Sequence, residues 1–231
     1  MDQQTRTLIE LRNVDLHYDR RSILKNLTFS IKAGEFVLIY GSTGTGKSTL
    51  CRLLAGLIRP NDGQLFLAGD RIDLLNEVQL RWLRRSMGLM TQEHSLLPEH
   101  SLLPDRSVLE NIMLPALVAE EPAKEARLRA LQALNKCGLE GMGNLTPSEL
   151  SVGQRQLACL ARAVVNRPVM IIADEPLAQL DKRNTQTLLA LLSRFANAGV
   201  TVIITSHRQL PYSVPGLREI SLDTYVAKEE A

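Results

Sequence analysis

The amino-acid sequence predicts an α/β fold with a mainly parallel central sheet, an antiparallel β part near the N-terminus and an inserted helical lobe. Three short apolar runs, residues 36–40, 169–173 and 200–205, are typical of strands buried on both faces of a parallel sheet. Helical patterns with one apolar face lie between these runs. Buried strands that alternate with amphipathic helices indicate a sheet covered by helices.

The N-terminal part has a different pattern. Residues 8–14 alternate apolar and polar side chains, and Phe29 and Ile31 continue the alternation up to a turn at Ala33 and Gly34. Alternation of this kind is typical of strands with one exposed face, which antiparallel sheets allow. We therefore expect antiparallel β structure before the first buried strand.

Two helices are predicted from apolar residues at positions i, i+3, i+4 and i+7. The first follows the strand at 36–40 and is closed by Pro60 and Gly63, and the second precedes the strand at 169–173. The patterns are formed by Leu50, Leu53, Leu54 and Leu57 in the first helix and by Leu157, Leu160, Ala161 and Val164 in the second.

The region between these helices predicts further helices without a strand between them. Ser107 and Glu110 fit a capping box, which marks the start of a helix. We expect a helical lobe of about residues 93–155, inserted in a single domain of residues 1–231. Helical spacing inside this lobe is carried by Leu128, Leu131 and Leu134.

Composition limits the possible partners. The chain has 231 residues, of which 45% are hydrophobic, so it can bury one large core. Its net charge is only +2, and the nearest basic cluster, Arg81, Arg84 and Arg85 beside Trp82, has the spacing of a solvated helix face. We therefore expect no nucleic-acid partner.

The cysteines and the hydropathy pattern indicate where in the cell the protein works. Cys51, Cys137 and Cys159 lack metal-ligand spacing, so we expect reduced thiols in a cytosolic protein. No stretch approaches the roughly 18 apolar residues that a membrane-spanning helix needs. If the protein works at a membrane, we expect a partner to hold it there.

A phosphate-binding loop is predicted between the strand at 36–40 and the helix after it. The segment matches the pattern G-x-x-x-x-G-K-[ST], and a strand before it and a helix after it are the context that the pattern requires. Glycines let backbone N–H groups and the helix N-terminus face phosphates, Lys47 neutralises the β and γ phosphates, and the Ser48 hydroxyl ligates Mg²⁺. The sequence therefore predicts that ATP and Mg²⁺ are bound by Gly41, Ser42, Thr43, Gly44, Thr45, Gly46, Lys47, Ser48 and Thr49.

Two carboxylates follow the second buried strand. Asp174 and Glu175 come directly after the run at 169–173, and the carboxyl ends of parallel strands are where α/β sheets bind ligands. We expect Asp174 to hold Mg²⁺ and Glu175 to polarise the attacking water, since phosphoryl transfer depends on positioning and charge stabilisation. By itself the pair is equally typical of an acidic helix N-terminus.

The segment from Ser151 to Gln154 begins the second predicted helix. Ser151 and Gln154 fit the capping pattern S-x-x-Q, and that geometry also leaves unpaired N–H groups that attract an anion. The two interpretations are compatible. Ser151, Gly153 and Gln154 are therefore candidates for contact with a γ-phosphate.

Taken together, these motifs make the sequence similar to the ATPase subunits of ABC systems, which are P-loop NTPases. The resemblance covers nearly the whole chain and rests on residues 41–49, 150–154, 174–175 and 205–207, in the order of that family. It implies that two copies pair head to tail as a homodimer. It also implies that each ATP lies between one phosphate loop and segment 150–154 of the other copy.

The same resemblance implies roles for single residues outside the phosphate loop. Gln92 is implied to sense Mg²⁺ and the coupling interface, and His207 to contact the γ-phosphate. Tyr18 is implied to stack on adenine, and residues 178–181 to form the D-loop. Catalysis is thus expected from Glu175, His207, Gln92 and Lys47, and metal binding from Ser48, Gln92 and Asp174.

The sequence departs from the family pattern at several positions. Val152 replaces the first glycine of the usual L-S-G-G-Q, and Arg208 follows His207 where aspartate is usual. A β-branched residue restricts the backbone at 152 but leaves the following N–H available. We therefore expect retained ATP binding with a changed turnover rate.

The branch of the family is indicated by segments 83–88, 105–108, 163–168 and 199–202, which are most similar to the FtsE branch. Members of that branch act in bacterial cell division with the four-span membrane protein FtsX and activate cell-wall hydrolases across the membrane. The resemblance implies an FtsX-like permease subunit as partner and a location at the cytoplasmic face of the bacterial inner membrane. Segments 102–105 and 147–150 resemble lipoprotein-release and macrolide-export ATPases, which remain alternatives, as does an ATP-dependent assembly module without hydrolysis.

One feature is a tandem duplication. Residues 93–98 read EHSLLP, and residues 99–104 repeat them. We interpret the duplication as an insertion that lengthens a surface loop. Because it follows Gln92, an effect on partner docking is the alternative hypothesis.

Overall fold

The computed structural model describes residues 6–18, 21–90, 102–210 and 213–225. The N-terminal half contains β1 (Thr7–Tyr18), β2 (Arg21–Lys32), β3 (Phe36–Tyr40), α1 (Lys47–Leu54), β4 (Asp62–Leu67), β5 (Asp70–Arg71), α2 (Glu77–Arg85) and β6 (Met87–Met90). The remainder contains α3 (Val108–Val118), α4 (Ala123–Lys136), α5 (Val152–Val164), β7 (Met170–Ala173), α6 (Lys182–Asn197), β8 (Thr201–Ser206) and β9 (Leu217–Ser221).

These strands form two sheets. Five strands pair in parallel in the order β6-β7-β8-β3-β9. Four pair antiparallel in the order β2-β1-β4-β5. The predicted combination of a parallel central sheet with an N-terminal antiparallel part is therefore confirmed, although the sequence patterns predict neither β4 to β6 nor β9.

The central strand β3 shows why a continuous apolar run suits a parallel sheet. Phe36 and Leu38 pack into a core that the sheet shares with α3 to α6, whereas Val37 and Ile39 pack into a second core with α1 and the antiparallel sheet. Successive side chains point to opposite faces of a strand, so a strand between two cores needs apolar residues at every position.

Helix α1 is shorter than its apolar pattern suggests. It ends at Leu54, and Gly56 adopts a left-handed φ of 64°, a common way for a helix to stop. Leu57, predicted to lie on the apolar face, is beyond the helix and exposed. The prediction was thus wrong at this position and correct for Leu50, Leu53 and Leu54, which are buried.

Helices α3 and α4 lie between β6 and β7 in the chain, where the helical lobe was predicted. Ser107 caps α3 as expected: its hydroxyl accepts the N–H of Glu110, and the Glu110 carboxylate accepts the N–H of Ser107. In α4 the buried positions are alanines together with Leu134, whereas Leu128 and Leu131 are exposed. Small side chains let α4 pack closely, so its buried face differs from the predicted leucine face. Helix α5 contacts both this lobe and β6.

The predicted basic helix is α2, with the Arg85 guanidinium stacked over the exposed Trp82 ring at 4.3 Å. Among the helices in the described ranges, none has the length and apolar character to cross a membrane. Of the duplicated segment only residues 102–104 are described.

Candidate functional site

The loop between β3 and α1 is shaped to bind an anion. Gly46 precedes α1 with a φ of 90°, and a Cβ there would lie 2.5 Å from the Ile23 side chain of β2. Only glycine therefore fits where the loop passes under the hairpin of β1 and β2. Beyond Gly46, the first N–H groups of α1 have no partners within the helix and point toward the loop, a ready site for phosphate.

Not every amide of this loop takes part in such a cradle. The N–H of Ser42 donates to the Asp223 carboxylate at 3.0 Å, and the N–H of Thr45 donates to the Ser42 carbonyl at 3.3 Å. The predicted series of anion-facing amides is thus interrupted at Ser42, whose amide bonds to Asp223 outside the loop, and at Thr45, whose amide bonds to a carbonyl within it. Thr45 is also buried, and its hydroxyl donates to the same carbonyl.

Lys47 places an ammonium group inside this loop. Its Nζ donates to the carbonyls of Gly41 and Ser42, each at 2.9 Å, and lies 3.3 Å from the Glu175 carboxylate. The side chain is only 4% exposed. A buried ammonium needs such partners, and here they fix the charge between the loop and the end of β7.

The carboxylates Asp174 and Glu175 lie where β7 ends, beside the end of β8. The Thr205 hydroxyl of β8 donates to Asp174 Oδ1 at 2.8 Å and accepts the Glu175 N–H at 2.8 Å. The Asp174 N–H donates to the Met90 carbonyl of β6 at 2.7 Å. Glu175 has a left-handed φ of 46°, an uncommon conformation for a residue with a side chain and one that Thr205 helps to hold.

His207 lies one residue beyond β8 and faces the same carboxylate. Its Nδ1 is 3.9 Å from Glu175 Oε2, and its side chain is 49% exposed. The structure therefore brings together four of the predicted residues: Lys47, Asp174, Glu175 and His207.

Two further residues were predicted outside these segments, Tyr18 and Gln92. Tyr18 is half exposed at the end of β1, opposite Arg21, and the contact of Gly46 with Ile23 puts the phosphate loop beside this hairpin. Gln92 lies outside the described residues.

Segment 151–154 starts α5 at a different place in the fold. The Ser151 hydroxyl accepts the Gln154 N–H at 3.2 Å, and the Gln154 side chain accepts the Ser151 N–H at 2.8 Å, which confirms the predicted capping box. Gly153 is buried against α6, where a Cβ would lie 2.5 Å from the Asn184 side chain. Among the described residues, no hydrogen bond or ion pair joins this segment to residues 41–49. This segment leads into α5, which packs on one face of the parallel sheet, whereas the phosphate loop leads into α1, which packs on the other face.

Thr205 and Asp223 touch the site, but the sequence patterns assign them no role of their own. The sequence does carry a signal for Thr205, because this residue ends the apolar run at 200–205. The strand formed by that run lies next to the strand that leads into Asp174. Asp223 carries no local signal, because it reaches Ser42 across 181 residues of sequence.

The buried thiol of Cys51 also lies next to these groups. Burial, and secondarily the negative charge of Asp174, raise the pKa of Cys51 well above its usual value. The thiol is therefore neutral. The described cysteines Cys51, Cys137 and Cys159 are free, as predicted, and all three are buried.

Comparison with known proteins identifies a matching family model and similar relatives. A family model described as ABC transporter matches residues 24–178. The lipoprotein-releasing system ATP-binding protein LolD of Aquifex aeolicus is 38% identical over 188 residues, which cover 81% of each protein. The cell division ATP-binding protein FtsE of Escherichia coli K12 is 36% identical over 187 residues, which cover 81% of this chain and 82% of FtsE.

Solved structures resemble the fold over almost its full length. A dimeric bacterial ABC transporter cassette superposes with a TM-score of 0.79 at 30% identity, covering 93% of this chain and 95% of the cassette. A dimeric ATP-binding cassette in a post-hydrolysis state bound to ADP and Pi gives a TM-score of 0.76 at 31% identity, covering 87% and 88%.

Proposed function

We propose that this chain, which belongs to the ABC transporter family and hydrolyses ATP, works as a homodimer that drives an integral membrane partner. The observation that carries the ATPase part of the proposal is the meeting of Lys47, Asp174 and Glu175 at the carboxyl edge of the parallel sheet, directly beside the phosphate loop. This edge is where α/β sheets place their ligands.

The phosphate loop and Lys47 bind the triphosphate in this proposal. The N–H groups of Thr43, Gly44, Gly46 and the first turn of α1 contact phosphate oxygens, and the ammonium of Lys47 neutralises their charge. Replacement of Lys47 by alanine removes this charge and leaves Glu175 facing the phosphates, so we expect nucleotide binding to be lost. Unchanged nucleotide affinity in a titration of Lys47→Ala would contradict this role.

The donor set at the end of β7 fits Mg²⁺. Asp174 offers the oxygen that Thr205 does not occupy, and Ser48 offers a hydroxyl at the start of α1. Mg²⁺ prefers oxygen ligands and commonly takes one or two from the protein, with phosphates and waters completing its shell. Among the described residues no cluster of three or more metal-ligating side chains occurs, in keeping with this type of site. When bound, the ion neutralises charge that develops on the phosphates.

Glu175 and His207 act on the attacking water in the proposed reaction. Glu175 Oε1 is held by Lys47, while Oε2 faces His207, so one carboxylate oxygen is oriented and the other remains accessible. Glu175 orients and polarises the water, and His207 supports the γ-phosphate. Gln92 links this site to the membrane partner.

The second copy completes each nucleotide site. The start of α5 is a capped helix end with unpaired N–H groups, suited to an anion, yet α5 packs on the face of the sheet opposite to α1, which follows the phosphate loop. The dimeric form of the similar cassette supports pairing between copies. In the proposed dimer Ser151, Gly153 and Gln154 of one copy contact the γ-phosphate bound by the other, and Val152 adjusts the rate.

The membrane partner is an FtsX-like permease subunit in our proposal, which places the chain at the cytoplasmic face of the bacterial inner membrane during septation. The similarity to FtsE and the four segments noted above support this branch. The similarity to LolD supports lipoprotein release as the second candidate, at comparable identity.

Purification of the chain from membranes together with its bound partner distinguishes cell division from lipoprotein release. Recovery of a four-span protein with a large outer domain, together with filamentous growth on depletion of the chain, is expected for cell division. Recovery of a lipoprotein-release permease and normal cell length would contradict that branch and favour the second.

A further inference from the structure

A short turn near the C-terminal end of the described chain is anchored on two sides of the phosphate loop. It spans residues 221–225 and begins at the last residue of β9. Leu222 is fully buried, and its N–H donates to the Tyr40 carbonyl at 2.7 Å. On the other side, the Tyr225 hydroxyl donates to the Thr28 carbonyl of β2 at 3.1 Å. The turn is therefore fixed to the strand that leads into the loop and to the neighbouring hairpin.

Asp223 projects from this turn onto the first peptide of the loop. Its Oδ1 accepts the N–H of Ser42 at 3.0 Å. A Cβ on Gly41 would lie 3.3 Å from the same oxygen, so the carboxylate lies directly against the backbone of residues 41 and 42. A hydrogen bond to an ionised carboxylate is stronger than one between neutral groups.

The opposite edge of the same peptide holds Lys47. The peptide joining Gly41 and Ser42 is trans, so its C=O and N–H point in opposite directions. The N–H donates to Asp223, while the C=O accepts the Lys47 ammonium at 2.9 Å. The carboxylate, the peptide and the ammonium thus form a continuous chain, and each hydrogen bond in such a chain polarises the next.

We propose that Asp223 is a positioning residue for Lys47. It fixes the direction of the Gly41–Ser42 peptide, and the carbonyl of that peptide fixes the ammonium between the loop and Glu175. This inference rests on the proposed role of Lys47 in phosphate binding.

The hydrogen bond and the charge of Asp223 have opposite effects on nucleotide binding. The bond orders the loop, whereas the negative charge repels phosphates. Asparagine keeps an oxygen that can accept the Ser42 N–H and removes the charge, so Asp223→Asn isolates the effect of the charge, and the comparison of asparagine with alanine isolates the effect of the bond. Alanine removes both.

The experiment compares Asp223→Ala, Asp223→Asn and Thr224→Ala in the full chain. Thr224 is the matched control, because its hydroxyl donates to the Ser221 carbonyl within the same turn and not to the loop. Four quantities are measured: the rate of amide hydrogen exchange at Ser42 without nucleotide, the Kd for MgATP, and the kcat and KM of hydrolysis.

We expect faster exchange at Ser42 and an MgATP Kd raised about fivefold in Asp223→Ala, with a smaller change in kcat, since the bond lies at an exposed position. Asp223→Asn and Thr224→Ala should stay within about twofold of the original chain. Unchanged exchange in Asp223→Ala, or an asparagine variant as weak as the alanine variant, would overturn the inference. Failure of the unsubstituted chain to bind MgATP would instead refute the proposed function, and the exchange measurement still decides whether the hydrogen bond exists.

Discussion

Thr205→Val removes the hydroxyl that joins the Asp174 carboxylate and the Glu175 backbone to β8. Thr205 is fully buried, and its hydroxyl makes two hydrogen bonds of 2.8 Å, one to Asp174 Oδ1 and one from the Glu175 N–H. Valine has a similar shape, so the substitution leaves both partners in place but unpaired.

The loss of stability is the sum of the contributions of these two hydrogen bonds. A hydrogen bond to an ionised group contributes about 1.5–3 kcal/mol and one between neutral groups about 1 kcal/mol, so the free energy of unfolding should fall by roughly 2.5–4 kcal/mol. For a chain of this size each 1 kcal/mol lowers Tm by about 2–4 °C, which gives a decrease of about 10 °C. Because Glu175 also loses the bond that holds its backbone, kcat should fall about 10- to 100-fold.

Thr205→Ser is the matched control. Serine keeps the hydroxyl and loses one buried methyl group, which costs about 1 kcal/mol. The assay compares urea denaturation and ATP hydrolysis for both variants. If the valine variant unfolds at the same urea concentration as the serine variant and hydrolyses ATP equally fast, the Thr205 hydroxyl neither stabilises the fold nor positions Glu175.

Further predictions concern packing and thiol reactivity. Gly153→Ala places a Cβ against Asn184, so we expect a loss of about 1–3 kcal/mol in unfolding free energy and lower ATPase activity. Asn184→Ala in the same chain should restore much of both, and a strictly additive double variant would contradict the steric explanation. Burial raises the pKa of Cys137 to about 12 and also raises that of Cys51, so at pH 8 both stay protonated. Mass spectrometry after iodoacetamide treatment should therefore find them unmodified in the native protein and modified in denaturant. Rapid native labelling would show that these thiols are accessible.

Features that depend on a repeating pattern could be predicted from the sequence. Strand β3 needs apolar residues at every position because both of its faces are buried, so the run from Phe36 to Tyr40 was sufficient to predict it. The helix starts at Ser107 and Ser151 were predicted because a capping box needs only two residues three positions apart.

Features that depend on tertiary contact could not be predicted in the same way. Helix α1 ends early because Gly56 reverses the chain, although the leucine pattern continues to Leu57. The exposed faces of Leu128 and Leu131 follow from close packing at alanines, which an apolar pattern does not reveal.

The candidate site likewise has some features that local sequence patterns predict and others that depend on tertiary contact. The phosphate loop and the carboxylates after β7 have local signals, because a ligand edge is set by where strands end. The hydrogen bond from Ser42 to Asp223 has no local sequence signal, because it joins positions 181 residues apart. The roles of all the candidate site residues, including Tyr18, Gln92 and segment 151–154, remain predictions.

The claim that two copies complete each nucleotide site is tested most directly by the molecular mass of the Glu175→Gln variant in solution with MgATP. The mass is measured by gel filtration with light scattering. The substitution keeps the phosphate loop and Lys47 but removes the carboxylate that polarises water, so bound ATP should persist and hold two copies together. We predict a mass twice the 25.7 kDa of one chain with MgATP, and a single-chain mass without nucleotide or when Lys47→Ala is added. A variant that binds MgATP at saturation and remains a single chain would contradict the claim that two copies complete each site.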